Sequence, residues 1–226
     1  MTQKQTLSRL YQAVTAAVNA LQQDLLSGAD AKSSTKATLA ELRRLAGKKP
    51  TDAPLGFAAA LDLLYPKLAE PTVDSQGFAT YEEEAAFTAL TLFALHAQSA
   101  RRPVHQDGMT FGRACGLLYH RGRSESLKPR FDAVLLSNNP DTQLYHIRSL
   151  VTLLRSADLV LDYGLLAEDL RWLRSPRLRN RVLLRWGRDF ALAPYVSADA
   201  PGQSTAGTAS QPSANSGSAN TETIHS

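Results

Sequence analysis

Residues 175–190 read SPRLRNRVLLRWGRDF, a stretch that contains five arginines and one acidic residue. At about 100° per residue, the apolar side chains of Val182, Trp186 and Phe190 fall on one side of a helical wheel. Four of the arginines fall within about 80° of one another on a different side; they are Arg177, Arg181, Arg185 and Arg188. The stretch therefore predicts an amphipathic helix with an apolar face for a core and an arginine stripe on another face.

Helical patterns continue along the chain on both sides of this stretch. Apolar residues recur at spacings of three and four from about residue 4 to residue 27, which predicts a long first helix. Residue types that favour helix starts precede or open the later helical segments; these are Thr35, Thr110, Ser126 with Pro129, Asp141, Asp162, and Ser175 with Pro176. We find no segment with the alternation expected of a strand, so the chain is predicted to be all-α.

The helices are predicted to form two small helical bundles followed by a tail. Residues 1–100 would form an N-terminal bundle and residues 101–193 a basic C-terminal bundle. Residues 194–226 are rich in Ser, Ala and Gly and hold almost no large apolar side chain from Ser197 onward. Such a segment cannot bury enough apolar surface to offset its ordering entropy, so a disordered C-terminal tail is predicted.

The composition argues against several classes of protein. The single cysteine, Cys115, can form neither an intramolecular disulfide nor a cysteine-rich zinc site. The N-terminal sequence MTQKQTLSRLYQAV lacks the apolar core of a signal peptide, and no window reaches about 18 consecutive apolar residues. We therefore expect a cytoplasmic protein that does not bind a membrane, and no cofactor motif is present.

The positive charge is concentrated in the second half of the chain. Residues 101–190 hold sixteen Lys and Arg against nine Asp and Glu, and fifteen of the sixteen cations are arginines. The guanidinium group binds phosphate in a bidentate fashion. The arginine stripe, with no acid between Asp169 and Asp189 to pair with it, therefore favours a face that binds a polyanion such as nucleic acid. Arg171 and Arg174 could extend this face from the preceding helix. The alternative interpretation of the arginine stripe is a solvated face whose arginines form ion pairs within the domain.

Two other functions are open at this point. One is a helical protein–protein adaptor without nucleic-acid contact. The other is a metal-dependent nuclease built from His96, His105 and His120 with Asp107, although their spacing does not match common metal-ligand motifs. Glu82, Glu83 and Glu84 are interpreted as the acidic first turn of a helix rather than as metal ligands.

Three blocks of sequence resemble CasB, the small subunit of the type I-E CRISPR Cascade complex. The first contains ALHAQ and, further on, GMTFGRA with Gly112 and Arg113. The second contains RFDAVLL followed by HIRSLVTLLR. The third contains LDYGLLAEDLRWL followed by RWGRDF. The order and spacing of the blocks carry the resemblance, which extends over roughly residues 7–193.

The resemblance implies a helical, non-catalytic protein that pairs with a second copy of itself inside Cascade. Its partners would be the backbone and large subunits, the crRNA and the target DNA. The basic faces of CasB proteins support the crRNA–target hybrid and the displaced strand of the R-loop. Carried over position by position, with the arginine face added, the predicted nucleic-acid-binding residues are Arg113, Arg121, Arg123, Lys128, Arg130, Arg148, Arg174, Arg177, Arg181 and Arg185.

Overall fold

The computed structural model describes residues 8–28, 32–68, 79–122 and 126–194. Arg123 and the predicted tail from residue 195 onward therefore lie outside the described residues. Within them the chain forms helices and no strand, which confirms the all-α prediction. The helices are α1 (Arg9–Leu26), α2 (Ser33–Leu45), α3 (Pro54–Asp62), α4 (Tyr81–His96), α5 (Phe111–His120), α6 (Leu127–Leu136), α7 (Pro140–Ser156), α8 (Tyr163–Leu173) and α9 (Arg179–Leu192).

Several predicted helix starts are confirmed. Thr110 caps α5 by accepting a hydrogen bond from the backbone of Arg113, and Asp162 caps α8 in the same way. Helix α6 begins directly after Ser126. Helix α4 begins with a capping box between Thr80 and Glu83, so the acidic run there is a helix start as predicted.

Three predicted starts are wrong. Helix α2 begins at Ser33, ahead of Thr35. Helix α7 is capped by Asn139 instead of Asp141. Pro140 suits the first helical position, and the side-chain oxygen of Asn139 accepts hydrogen bonds from the backbone nitrogens of Asp141 and Thr142. Helix α9 begins at Arg179, not next to Ser175. The backbone nitrogen of Arg179 donates to the carbonyl oxygen of Ser175 at 2.9 Å, and Arg177 lies in the turn that this bond closes.

The helices pack in two groups around one connected hydrophobic core. Helix α8 packs on α1 and α4, and α2 and α3 also pack on α4. Helix α5 packs on α9, and α6 packs on α7. The predicted division at residue 100 stays a prediction, but α8, which lies well beyond that residue, packs with the N-terminal helices. None of the described helices combines the length and apolar composition needed to cross a bilayer.

Candidate nucleic-acid interface

Helix α9 has a buried face and an exposed face. Trp186 is fully buried, whereas Arg181 and Arg188 are exposed. Leu184 lies between these two arginines on the same face and is 70% exposed. Within the described part of the chain, neither Arg181 nor Arg188 forms an ion pair. These two guanidinium groups are therefore available to an external anion.

Two glycines of α5 allow it to pack closely against α9. A Cβ atom on Gly112 would lie 2.3 Å from the carbonyl oxygen of Trp186, and one on Gly116 would lie 2.4 Å from that of Phe190. Helix α5 is further held because the Thr110 hydroxyl donates to Oδ2 of Asp189 at 2.7 Å. The glycines thus fix α5 against the basic helix α9.

A buried carboxylate on α8 binds one member of the arginine stripe. Asp169 is 4% exposed. Its carboxylate accepts a hydrogen bond from Nε1 of Trp186 at 2.6 Å and forms an ion pair with Arg185. Burial raises the pKa of the Asp169 carboxyl to about 6, and the neighbouring Arg185 opposes this rise. The lack of acids between Asp169 and Asp189 in the sequence therefore did not mean that the stripe is unpaired, because Asp169 itself pairs with Arg185.

The arginines at the end of α8 pair with the acidic first turn of α4. Arg174 lies 3.3 Å from Glu84, and its guanidinium group stacks 5.4 Å from the centre of the Tyr81 ring. Arg171 contacts Glu82 at 2.6 Å. Arg174 was predicted to bind nucleic acid, but its charge is already partly neutralised within the fold.

Lys128 on α6 also has an internal partner. Its ammonium group lies 2.5 Å from Asp132, one turn further along the same helix. It also lies 6.0 Å from the centre of the Phe190 ring, which places it beside α9. Lys128 therefore lies close to the stripe, but it is not an unpaired cation.

The remaining predicted residues are less concentrated in space. Arg113 and Arg130 are half-buried, and Arg121 is exposed at the end of α5. Arg148 is exposed on α7, where its guanidinium group faces the turn at Gly47. The structure brings Arg181, Arg185 and Arg188 onto one helix, with Arg113 on the adjoining α5, and places Arg148 next to N-terminal segments.

The structure contains a groove that the sequence did not indicate. It is lined by α4, α7, the segment before α3 and the turn between α8 and α9. Its volume is about 1000 Å³, and its lining includes the cations Lys49, Arg174 and Arg179. Lys49 forms an ion pair with Asp141 at 2.7 Å. These residues lie far apart in the chain, so no local pattern could have indicated that they line one groove.

The histidines considered for a nuclease do not converge on one point. His96 is buried, with Nδ1 2.8 Å from the Tyr163 hydroxyl, and burial lowers its pKa to about 4. His120 is exposed at the end of α5. His105 lies 3.3 Å from Asp107, and the N-cap residue Asp162 completes a cluster with them. Asp162 is the member of this cluster that sequence spacing did not indicate.

The fold and these surfaces define a small all-helical protein whose basic helix is held by glycine packing and a buried acid. A family model for CRISPR-associated protein Cse2 matches residues 38–190, which is most of the chain. The chain belongs to the Cse2 family.

Solved structures show the same fold. CasB from Thermobifida fusca is 34% identical, with a TM-score of 0.65, over 82% of this chain and 99% of that one. A Cse2-family protein from Thermus thermophilus is 23% identical, with a TM-score of 0.53, over 77% of this chain and 97% of that one. A chain from a CRISPR RNA-guided surveillance complex is 20% identical, with a TM-score of 0.57, over 81% of this chain and 94% of that one. A comparison with curated protein sequences gives no significant match.

Proposed function

We propose that this chain is a non-catalytic small subunit of a type I-E CRISPR RNA-guided surveillance complex. Its partners would be the other Cascade subunits, a second copy of itself, the crRNA and the target DNA, in the cytoplasm. Family membership supports this proposal, as does the fold shared with a chain of a CRISPR RNA-guided surveillance complex. The observation that carries its nucleic-acid part is the exposed face of α9, where Arg181 and Arg188 carry no ion pair among the described residues.

The spacing of these two arginines suits an extended polyanion. They are seven residues apart, which is about 10 Å along a helix axis. Arg177 lies in the turn before α9 and extends the same basic surface. Arg113, Lys128 and Arg130 lie on other helices, and Arg121, Arg148 and Arg174 remain candidate contacts. Arg123, which lies outside the described residues, also remains a candidate on the resemblance alone. Such contacts bind phosphates and do not read sequence.

This role has a clear energetic basis. The crRNA–target hybrid is about as stable as the DNA duplex that it replaces, so R-loop formation is nearly balanced in base-pairing energy. A few arginine–phosphate contacts, either with the hybrid or with the displaced strand, can therefore shift the equilibrium toward the R-loop. Each such contact also releases counterions, which makes the stabilisation depend on salt concentration.

The test is R-loop formation by the reconstituted complex with the double variant Arg181→Glu and Arg188→Glu. The matched control is Lys32→Glu with Lys36→Glu, two exposed cations of the α2 start that change the net charge equally. We expect both complexes to assemble by size-exclusion chromatography, and only the α9 variant to form fewer R-loops with a weaker salt dependence. R-loop formation equal to that of the control would overturn the role of α9.

A second candidate function, a protein–protein adaptor, is favoured by Leu184, which is 70% exposed between the two arginines. An apolar side chain at the centre of a basic face fits a protein partner better than a phosphate chain. Under this alternative, Leu184→Ser prevents assembly of the complex. Under the nucleic-acid proposal, Leu184→Ser leaves assembly intact and the charge reversals alone weaken R-loops.

A further inference from the structure

A cluster of metal-binding residue types lies away from the arginine face. One ring nitrogen of His105 and one carboxylate oxygen from each of Asp107 and Asp162 all lie within 4.8 Å of one another. His105 and Asp107 come from the segment between α4 and α5, and Asp162 is the N-cap of α8. A bridge between His105 and Leu161 joins the two segments, with Leu161 N donating to Val104 O at 2.9 Å. The cluster is therefore held together by backbone hydrogen bonds.

The imidazole of His105 provides an independent sign that something binds here. The residue is 3% exposed, and its Nε2 atom is buried without a hydrogen-bond partner among the described residues. Nε2 points into the cluster, 3.3 Å from Oδ1 of Asp107. On the other side of the ring, Nδ1 lies 3.2 Å from the carbonyl oxygen of Leu161 and 3.2 Å from the backbone nitrogen of Tyr163, so the tautomer decides which of the two it pairs with. When Nδ1 donates its proton to that carbonyl, Nε2 presents a lone pair to the cluster, an arrangement typical of histidine ligands.

The carboxylate of Asp162 can accept one more ligand interaction beyond its hydrogen bonds. Its Oδ1 accepts from Leu165 N at 2.9 Å, and its Oδ2 accepts from Gly108 N at 2.7 Å and from the Tyr11 hydroxyl at 3.3 Å. A carboxylate offers about four acceptor sites, so one remains for a cation. Asp162 is fully buried, and burying a carboxylate costs free energy unless its charge is compensated. A nearby cation would offset this cost of burial.

Asp107 opens the cluster to solvent. Its side chain is 68% exposed, which gives an ion a route of entry and leaves room for water ligands. The positive end of the α8 dipole disfavours a cation at this position, but the two carboxylates together carry a larger opposite charge. One imidazole nitrogen and two carboxylate oxygens suit zinc or manganese better than magnesium, which prefers oxygen ligands.

We propose that His105, Asp107 and Asp162 bind a divalent first-row transition metal, with water in the remaining positions. The ion would join the segment between α4 and α5 to the start of α8. Its role would be to hold these segments together, with no part in cleavage of nucleic acid. The site is independent of the arginine surface on α9.

The test uses the full chain, freed of any affinity tag and stripped of metal by a chelator that is then removed. Zinc chloride is titrated by calorimetry, and melting curves are recorded with and without zinc. We expect binding at one zinc per chain and a higher Tm with zinc. Asp107→Asn should weaken zinc binding at least about tenfold and abolish the rise in Tm.

Asp158→Asn is the matched control, because Asp158 is an exposed acid near Asp162 whose φ of 52° an asparagine also adopts. Circular dichroism of metal-free Asp107→Asn checks that its fold is intact. The proposal is overturned if Asp107→Asn binds zinc as wild type does, or if zinc leaves the wild-type Tm unchanged. The second result is expected if His105 Nδ1 instead accepts from Tyr163 N, also at 3.2 Å, and Nε2 carries a proton toward Asp107.

Discussion

The indole Nε1 of Trp186 donates a hydrogen bond to Oδ2 of Asp169 at 2.6 Å, and both residues are buried. The same carboxylate pairs with Arg185, the residue before Trp186. One acid on α8 therefore fixes two consecutive residues of α9, one in the core and one at its edge. This contact distinguishes Arg185, which is anchored, from the exposed arginines of the stripe, which are Arg181 and Arg188 on α9 and Arg177 in the turn before it.

Asp169 should give stability an unusual pH dependence. Its folded pKa of about 6 lies above the ordinary value of 3.8, so between these two values the folded state binds the extra proton. Unfolding therefore becomes easier as pH rises through this window. Asp169→Asn keeps an oxygen acceptor for Trp186 and removes the titration. The unfolding free energy of wild type relative to this variant should fall by about 2 kcal/mol from pH 4 to pH 6, measured by urea denaturation.

The unfolding free energy of wild type must be compared with that of Asp169→Asn, because His96 changes the stability of both proteins with pH in the opposite direction to Asp169. Its folded pKa of about 4 lies below the ordinary value of 6.5, so its contribution to stability rises with pH over that range. Asp158→Asn replaces an exposed acid by the same substitution and serves as the control for the loss of one carboxylate. A parallel profile for Asp169→Asn and wild type would contradict the assigned pKa.

The α5–α9 contact predicts opposite effects of the same substitution at two glycines. A Cβ on Gly112 would lie 2.3 Å from a backbone oxygen of Trp186, so Gly112→Ala must push the helices apart. We expect a loss of about 1–3 kcal/mol in unfolding free energy. On α9, a Cβ on Gly187 would meet only a side-chain carbon at 3.9 Å, so Gly187→Ala should stabilise the protein by about 0.5–1 kcal/mol. Equal effects in denaturant titrations would show that α5 and α9 are not closely packed.

The helices and the apolar face of α9 were predictable because helical periodicity and capping chemistry act over a few residues. The pairing of Arg185 was not, because its partner Asp169 belongs to a different helix whose position depends on the tertiary packing. The same holds for Arg174, whose partner Glu84 lies ninety residues earlier in the chain. Sequence therefore indicated which residues are basic, but it could not tell which basic residues remain free for a ligand.

Arg185 and Arg181 should differ in their effect on stability. Arg185→Ala leaves the buried Asp169 carboxylate without its cation, which costs 3–5 kcal/mol in fully buried pairs, or about 2 kcal/mol here. The smaller figure applies because the Arg185 side chain is 39% exposed. Arg181→Ala removes an exposed side chain and should change stability by less than about 0.5 kcal/mol. Urea titrations of the two variants side by side make the comparison, and equal losses would contradict the division of the stripe.

The thiol of Cys115 should be inert in the native protein. Cys115 is fully buried in α5, and burial raises the pKa of its thiol far above the ordinary value, so no thiolate is available at neutral pH. A thiol-reactive chromogenic disulfide should give no colour with native protein and one equivalent in denaturant. Rapid reaction under native conditions would mean that α5 detaches from α9 on the time scale of the assay.

The exposed arginines should control how nucleic-acid binding depends on salt. For single strands, the slope of log affinity against log salt is about −0.7 per neutralised phosphate. If Arg181 and Arg188 each bind one phosphate, replacing both with Ala should make the slope shallower by about 1.4. Fluorescence anisotropy with a labelled single-stranded oligonucleotide measures this for the isolated protein over a range of salt concentrations. Lys32→Ala with Lys36→Ala removes the same charge from α2 and should leave the slope unchanged, because these residues lie on a different helix. If both double variants reduce the slope equally, binding depends on net charge alone, and the face of α9 has no special part in it.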